Sequence, residues 1–404
     1  MMRSFAATLA ACFTLAGLAA CGDDSSSSSA SDGGNGSAAF KVPDRPVKAE
    51  VGEMEGKLSL VAWAGYAEDG STDKAVDWVT PFEKKTGCEV STKTAATSDE
   101  MVTLMRTGRY DGVSASGNAS VKLMAGGNVV PVDTKLLEHW ADLDELVKNR
   151  DYNSVDGKMY GAPHGYGANL VMWRTDKVEP APTGWDAVFD PAKAAKYKGK
   201  VTGYDDPIYI AEAALYLSKA KPELKITNPY ELDQKQFDAT IALLKENRTL
   251  VGEYWSDYTK QQAAFTQGDS VLGTTWQVIA NLLEADKVPV KTVLPEEGAT
   301  GWSDTWMLSD KAKNPNCMIA WMNHIEAPEV QAQVAEWFGE APANPKACDK
   351  TSDKAFCETY HVGDTAYYDR VKFWATPTKN CRDDRGDTCV EYAKWVQAWT
   401  EIKG

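Results

Sequence analysis

The sequence predicts an α/β fold in two domains, and three observations carry that expectation. Short apolar, strand-like runs alternate with amphipathic helical runs at the spacing of parallel βαβ units. The body that follows a polar N-terminal tract extends from residue 57 to 404, long enough for two domains. No stretch of that body is long and apolar enough to cross a bilayer, and no internal repeat interrupts the pattern.

The chain opens with a short export signal. Arg3 supplies the positive start, residues 5–18 are apolar, and Leu18-Ala19-Ala20 places small residues before Cys21. A cleavage site ending in cysteine resembles the bacterial lipobox, which predicts cleavage after residue 20 and a lipid on Cys21. Residues 22–39 are almost all Ser, Gly, Asp, Asn and Ala, too polar to offset their ordering entropy, and read as a flexible leash. We therefore divide the N-terminus into residues 1–20, a lipoprotein signal, and 21–56, a lipid-anchored linker. One acyl group holds only marginally, so stable anchoring implies more than one chain.

Within the body, residues 57–63 form an apolar strand. Residues 74–86 follow as an amphipathic helix with Ala75, Val76, Trp78, Val79 and Phe82 in its apolar positions. Residues 88–94 alternate like a second strand. The Thr97-Ser98-Asp99-Glu100 start signal opens a helix over 98–108, and 110–114 form a third strand. Helical patterns recur at 191–197, 209–219, 234–247, 260–267, 277–285 and 318–325. A last helix over 389–402 carries Trp395 and Trp399 four residues apart, a spacing of core packing.

The formal charge of −15 becomes −16 once Arg3 leaves with the signal. That balance argues against a nucleic-acid partner and suits a cationic ligand. Beyond Cys12 and Cys21, six cysteines remain: Cys88, Cys317, Cys348, Cys357, Cys381 and Cys389. Sequence-local closure favours Cys348–Cys357 and Cys381–Cys389, leaving Cys88–Cys317 as a long-range bridge. A zinc site lacks usable spacing, because no C-x-x-C pair or histidine partner is present. Nucleophile-elbow, phosphate-loop and H-E-x-x-H signatures are also missing. His139, His164, His324 and His361 are scattered, so the chain is expected to need no metal, no cofactor and no catalysis.

What remains is aromatic. Of fourteen tryptophans, several sit beside Gly, Asp or Ser: Trp63-Ala64-Gly65-Tyr66, Trp255-Ser256-Asp257, Gly273-Thr274-Thr275-Trp276 and Gly301-Trp302-Ser303-Asp304. Loops at the C-terminal ends of parallel strands are where open α/β sheets bind ligands. Aromatic faces attract ammonium groups and also stack on sugars, and a neighbouring carboxylate favours the cation.

These segments, in order, resemble the polyamine (spermidine/putrescine)-binding proteins of bacterial ABC importers. The resemblance runs from residue 58 to 403. Its markers are W-A-G-Y at 63–66, P-F-E-K-K-T-G at 81–87, Y-D-G-V-S-A-S at 110–116 and Y-G-A-P-H-G-Y-G at 160–167. Further markers are G-W-D-A-V-F-D at 184–190, K-G-K at 198–200, Y-D-D at 204–206 and Q-G-D-S-V-L-G at 267–273. The series closes with L-P-E-E-G at 294–298, G-W-S-D at 301–304 and A-P-A-N at 341–344.

The resemblance implies a two-lobe periplasmic-binding-protein fold of type II, each lobe a mainly parallel sheet flanked by helices, with ligand in the cleft between them. Crossovers are implied at 161–166 and 298–304, with a third near 341–344. Lobe one would be 57–163 plus 304–341 and lobe two 166–300 plus 345–404, placing Cys88–Cys317 within lobe one. The implied ligand contacts are Trp63, Tyr66, Ser116, Asn118, Asp206, Trp276, Trp302 and Asp304. Four positions depart from the family pattern: Ala64 replaces a common hydroxyl residue, Asn118 stands where the family often has an aromatic, Tyr209 where a longer-polyamine binder has a second carboxylate, and Glu340 where it has tyrosine. The implied molecule is a monomeric binding subunit held at the outer face of the cell membrane by lipid, delivering a small cation to an ABC permease. A sugar or amino-acid-like ligand, a carboxylate-based extracellular hydrolase and a sensor domain are the competing readings.

Overall fold

The computed structural model describes residues 41–381 and 383–404; the signal, Cys21 and the tract at 22–39 lie outside the described residues. Leu58, Leu60, Val61 and Ala62 of β1 (Lys57–Ala62) are all buried, because the strand lies inside a sheet covered on both faces. β1 pairs in parallel with β2 (Glu89–Thr94) on one side and β3 (Gly112–Ser116) on the other. Helices α1 (Val79–Thr86) and α2 (Ser98–Arg106) make the crossovers that parallel pairing requires. Thr97 caps α2 by accepting from the Glu100 N–H, as its start signal predicts.

Two details correct the sequence reading. The helix expected from residue 74 begins at Val79, because the preceding segment folds into a loop closed by an Asp69–Asp77 bridge, and Asp77 then accepts from Thr80 N–H. The third strand lies two residues later than expected, at Gly112–Ser116.

The strands that organise the molecule are β4 (Gly161–Arg174) and β9 (Ala299–Ser309), introduced here with β5 (Val201–Tyr204), β6 (Val251–Trp255), β7 (Leu272–Trp276) and β8 (Val290–Val293). The sheet order is β2-β1-β3-β9-β4-β7-β5-β6. β9 runs antiparallel to β3 through Asp304 to Leu308, and antiparallel to β4 from Gly301 to Met307. β4 then continues past that contact to pair with β7 and β8. Each of these strands thus passes from one half of the sheet to the other. A register shift between Asp304 and Thr305 leaves His164 as the extra residue of β4.

The largest hydrophobic cluster surrounds β5 and β7, and includes Trp395 and Trp399 of the last helix, which spans Tyr392–Lys403. That helix starts three residues later than expected because Cys389 and Val390 bond back to Asp233 and Leu232. Further clusters flank β1, and another gathers Leu143, Val147, Tyr166, Tyr360 and Tyr368. The three disulfides are Cys88–Cys317, Cys348–Cys357 and Cys381–Cys389, the pairing expected from spacing.

The last part of the segment before β1 is docked on the body. Arg45 donates to Gly127 O and pairs with Asp310, and Lys48 donates to Asn316. Glu55 accepts from the N–H groups of Asn316 and Cys317, capping the helix Pro315–Ile325 where the orphan amides and the helix dipole favour a carboxylate. No helix among the described residues is long and apolar enough to cross a membrane.

Candidate ligand-binding site

The loop after β1 turns tightly enough for Tyr66 N–H to donate to Trp63 O, which drives the Tyr66 ring inward to full burial. Its hydroxyl lies 2.8 Å from Asp304 Oδ2 and 2.7 Å from Glu340 Oε2. Asp304 sits mid-strand on β9, opposite Ser116 of β3 and Gly165 of β4. Glu340 follows Gly339, whose positive φ ends the helix Pro328–Phe338, and precedes Ala341–Pro342, which pair with Tyr166 and Gly165. Gly165 and Gly167 explain the glycine alternation of β4. A Cβ on Gly165 would lie 2.1 Å from the Glu340 carboxyl carbon, and one on Gly167 would lie 2.9 Å from the Trp302 indole. The strand therefore leaves room for one carboxyl and one indole.

Asp304 and Glu340 are buried, and no Lys or Arg is bonded to either among the described residues. Burial pushes the Asp304 carboxyl up to about 6, with Ser116, Tyr66 and Trp63 partly opposing it. That displacement corresponds to about 3 kcal/mol against ionisation. Burial holds Glu340 well above the usual carboxylate range, with the Asp304 charge adding to it. His164 Nε2 approaches Glu340 Oε1 at 3.3 Å, but burial lowers the imidazole to about 3. The contact is therefore one of a neutral ring and not an ion pair. Asp304 Oδ1, Glu340 Oε1, Ser303 Oγ and the indole N–H groups of Trp63 and Trp302 are buried without a well-formed hydrogen bond. So concentrated a set of unsatisfied groups is unusual in a protein interior and marks a place for polar contacts.

A chain of rings leads away from this cluster. Tyr66 meets Phe338, Phe338 meets Trp302, Trp302 meets Trp276, and Trp276 meets Tyr204 and Trp255, each pair within 6.3 Å between centroids. Tyr204 stacks on Trp374 at 5.5 Å. Beyond Tyr204 lies Asp206, raised to about 6 by burial although Ile208 N–H and Lys122 favour its charge. The Trp276 indole donates to Asn169 Oδ1 at 3.0 Å, and Asn169 Nδ2 donates to Glu212 Oε1 at 3.0 Å and to Thr300 Oγ1 at 2.7 Å. Thr274 and Thr300 also donate to Glu212, a buried carboxyl raised to about 7 by desolvation.

Of the residues expected at the site, Trp63, Tyr66, Ser116, Trp302, Asp304 and Glu340 are brought together. Trp276 joins through Trp302, and Asp206 stands at the far end beside Tyr204. Asn118 is buried at the start of the helix Gly117–Ala125, its Oδ1 accepting from Ser98 and its backbone carbonyl from Thr376. Tyr209 does not join. Its ring packs over Gly203 and against Phe189, Tyr254 and Trp399 in the core. Residues not anticipated are His164, Asn169, Tyr204, Glu212, Phe338 and Trp374. His164 and Tyr204 lie inside the quoted motifs, whereas Asn169 and Glu212 sit within apolar strand and helix patterns that gave no polar signal.

A family model described as bacterial extracellular solute-binding protein matches residues 77–359. The putrescine-binding periplasmic protein of Pseudomonas aeruginosa is 27% identical over 304 residues, covering 71% of this chain and 79% of its own. The putrescine-binding periplasmic protein of Escherichia coli is 26% identical over 365 residues, covering 86% and 91%. The crystal structure of the spermidine/putrescine ABC transporter substrate-binding protein of Streptococcus pneumoniae superposes with a TM-score of 0.67 at 18% identity, covering 86% of this chain and 97% of that one. The fold is therefore that of the two-lobe periplasmic-binding proteins.

The raised carboxyls make stability depend on pH. Asp206, Asp304 and Glu212 hold protons in the folded state to about 6, 6 and 7, against 3.8, 3.8 and 4.5 ordinarily. The folded state thus binds more protons than the unfolded state in that interval, and ligand-free stability falls as pH rises from about 4 to about 7. Urea unfolding across that range measures it; a stability that rises throughout contradicts the assignment.

Proposed function

This chain belongs to the bacterial extracellular solute-binding protein family, and we propose that it is the substrate-binding subunit of an ABC importer that captures a polyamine of the putrescine or spermidine type. The observation that carries the reading is the buried Asp304–Tyr66–Glu340 cluster with no Lys or Arg bonded to it among the described residues. A neutral sugar leaves the cost of those carboxyls in place, whereas an ammonium supplies the missing charge and donates hydrogen bonds to unsatisfied oxygens. The aromatic chain from Trp302 to Tyr204 offers apolar and π faces to a methylene chain, and Asp206 provides a second anionic end. In this reading Trp63, Ser116, Asn118 and Trp276 line the cleft, and the protein performs no catalytic step.

We assign lobe one to 57–163 plus 304–341 and lobe two to 166–300 plus 345–404, with β4, β9 and 341–344 as the segments about which they close. Two passing strands of one sheet suit that role, because bending at their midpoints leaves both half-sheets intact. Closure lowers the effective dielectric around the cation and strengthens its pairing. The folded unit delivers its solute to a permease while a lipid on Cys21 holds it at the outer membrane face.

Three measurements test this reading. In a thermal-shift panel, putrescine and spermidine stabilise the protein and neutral sugars do not; stabilisation by a sugar alone overturns the amine assignment. Asp304→Asn weakens amine binding by about 1.5–3 kcal/mol in calorimetry, the range for a hydrogen bond to a charged group, and unchanged affinity removes Asp304 from the site. Cys21→Ser moves the protein from the membrane fraction into the medium or periplasm; continued membrane retention refutes the anchor.

A further inference from the structure

We propose that the site exchanges a proton for its ligand: the free protein holds one proton between Glu340 and the Tyr66 hydroxyl, and an incoming ammonium expels it to solvent. The inference rests on the reading of the cleft as an amine site. It comes from counting hydrogens. The Tyr66 oxygen lies within hydrogen-bond distance of both Asp304 Oδ2 and Glu340 Oε2, at 2.8 Å and 2.7 Å. A phenol has a single proton and can donate only one of these bonds. The other contact then sets oxygen against oxygen, which is repulsive unless that carboxyl carries a hydrogen and donates it to the phenol oxygen.

Glu340 is the carboxyl that does so. Asp304 is approached by Ser116 and Trp63, whose N–H and O–H groups favour its charged form. The remaining Glu340 oxygen lies 3.3 Å from His164 Nε2, whose burial keeps the ring neutral, and has no well-formed hydrogen bond among the described residues. The other titratable groups that feel this pair are Tyr66 from the loop after β1, Tyr152, Tyr204 and Tyr360, and all four phenols are held above their ordinary range by burial. With no Lys or Arg bonded to the pair among the described residues, only the two acids can take up a change in charge. The Gly165 slot fits the Glu340 carboxyl closely, so the group cannot turn away to solvent without moving β4.

The exchange balances simply. Glu340 gives its proton to the buffer, the new carboxylate faces the ammonium, and the ligand keeps all its own protons. No bond to the ligand's carbon or nitrogen is made or broken. A neutral solute cannot drive this step, so the pair selects for charge as well as shape.

Calorimetry with putrescine and spermidine in buffers of low and high ionisation enthalpy, above the pH of about 6 where Asp304 titrates so that Asp304 is already charged, tests it. The expected result is release of about one proton per amine, and an affinity that falls about tenfold per pH unit as pH drops below the Glu340 titration towards that of Asp304. Glu340→Gln, which can still donate to the phenol oxygen, binds amine with heats independent of buffer. Amine binding with equal heats in the native protein overturns the exchange while leaving the amine site standing. Proton release that persists in Glu340→Gln overturns the assignment to Glu340. No binding of either amine at any pH overturns the site reading and this inference together.

Discussion

The structure depends on the antiparallel pairing of β4 with β9. β9 pairs with β3 on one side and β4 on the other, and β4 continues to β7, so their crossing joins the two ends of the sheet. That crossing carries Asp304 and Trp302 on one strand and Gly165, Gly167 and His164 on the other. Strand alternation alone would place a side chain against each neighbour. The two glycines remove those side chains, and a carboxyl and an indole occupy the space. The bulge at His164 then shifts the register by one residue beyond the site, so that Thr305 pairs with Pro163.

Such an arrangement is costly in isolation. Buried carboxyls without a protein cation shift towards their neutral forms, and orphaned indole and hydroxyl groups forgo hydrogen bonds they would have in water. The surroundings offset this with aromatic burial on a large scale, from Tyr66 through Trp302 to Trp374. A second carboxyl, Glu212, is handled differently. It accepts from Asn169, Thr274 and Thr300, and so acts as a satisfied anchor that orients Trp276 through Asn169. The same chemical group is thus fully hydrogen-bonded at Glu212, whereas Asp304 and Glu340 each keep an oxygen without a well-formed hydrogen bond.

Much of this was legible in the sequence where local rules suffice. The strand–helix alternation, the Thr97 cap and the three disulfides follow from periodicity, capping chemistry and spacing. The residues joined at Asp304 carried a signal because aromatic and acidic side chains next to glycine are unusual in core strands. What stayed hidden depends on tertiary partners. His164 looks isolated in sequence because the bulge that aims it exists only when β9 pairs with β4. Tyr209 is a cleft candidate because the resemblance places it where a longer-polyamine binder has a carboxylate, yet the missing side chain of Gly203 gives its ring a slot in the core. The helix expected from residue 74 starts late because the Asp69–Asp77 bridge closes a loop that apolar periodicity does not detect.

The docked segment at 41–56 adds a further constraint. Its partners, Gly127, Pro131, Asp310 and Asn316, all lie on the side of the sheet that contains β1, β2 and β3. Glu55 fixes the end of that segment to the helix carrying Cys317, which the disulfide joins to Cys88 beside β2. The segment is therefore joined to this side of the sheet by hydrogen bonds and, through that helix, by a covalent bridge. This side of the sheet also meets the later part of the chain away from β4 and β9: Thr376 donates to Asn118 O, Lys346 pairs with Asp142, and Lys122 lies 3.6 Å from the Tyr392 ring centroid.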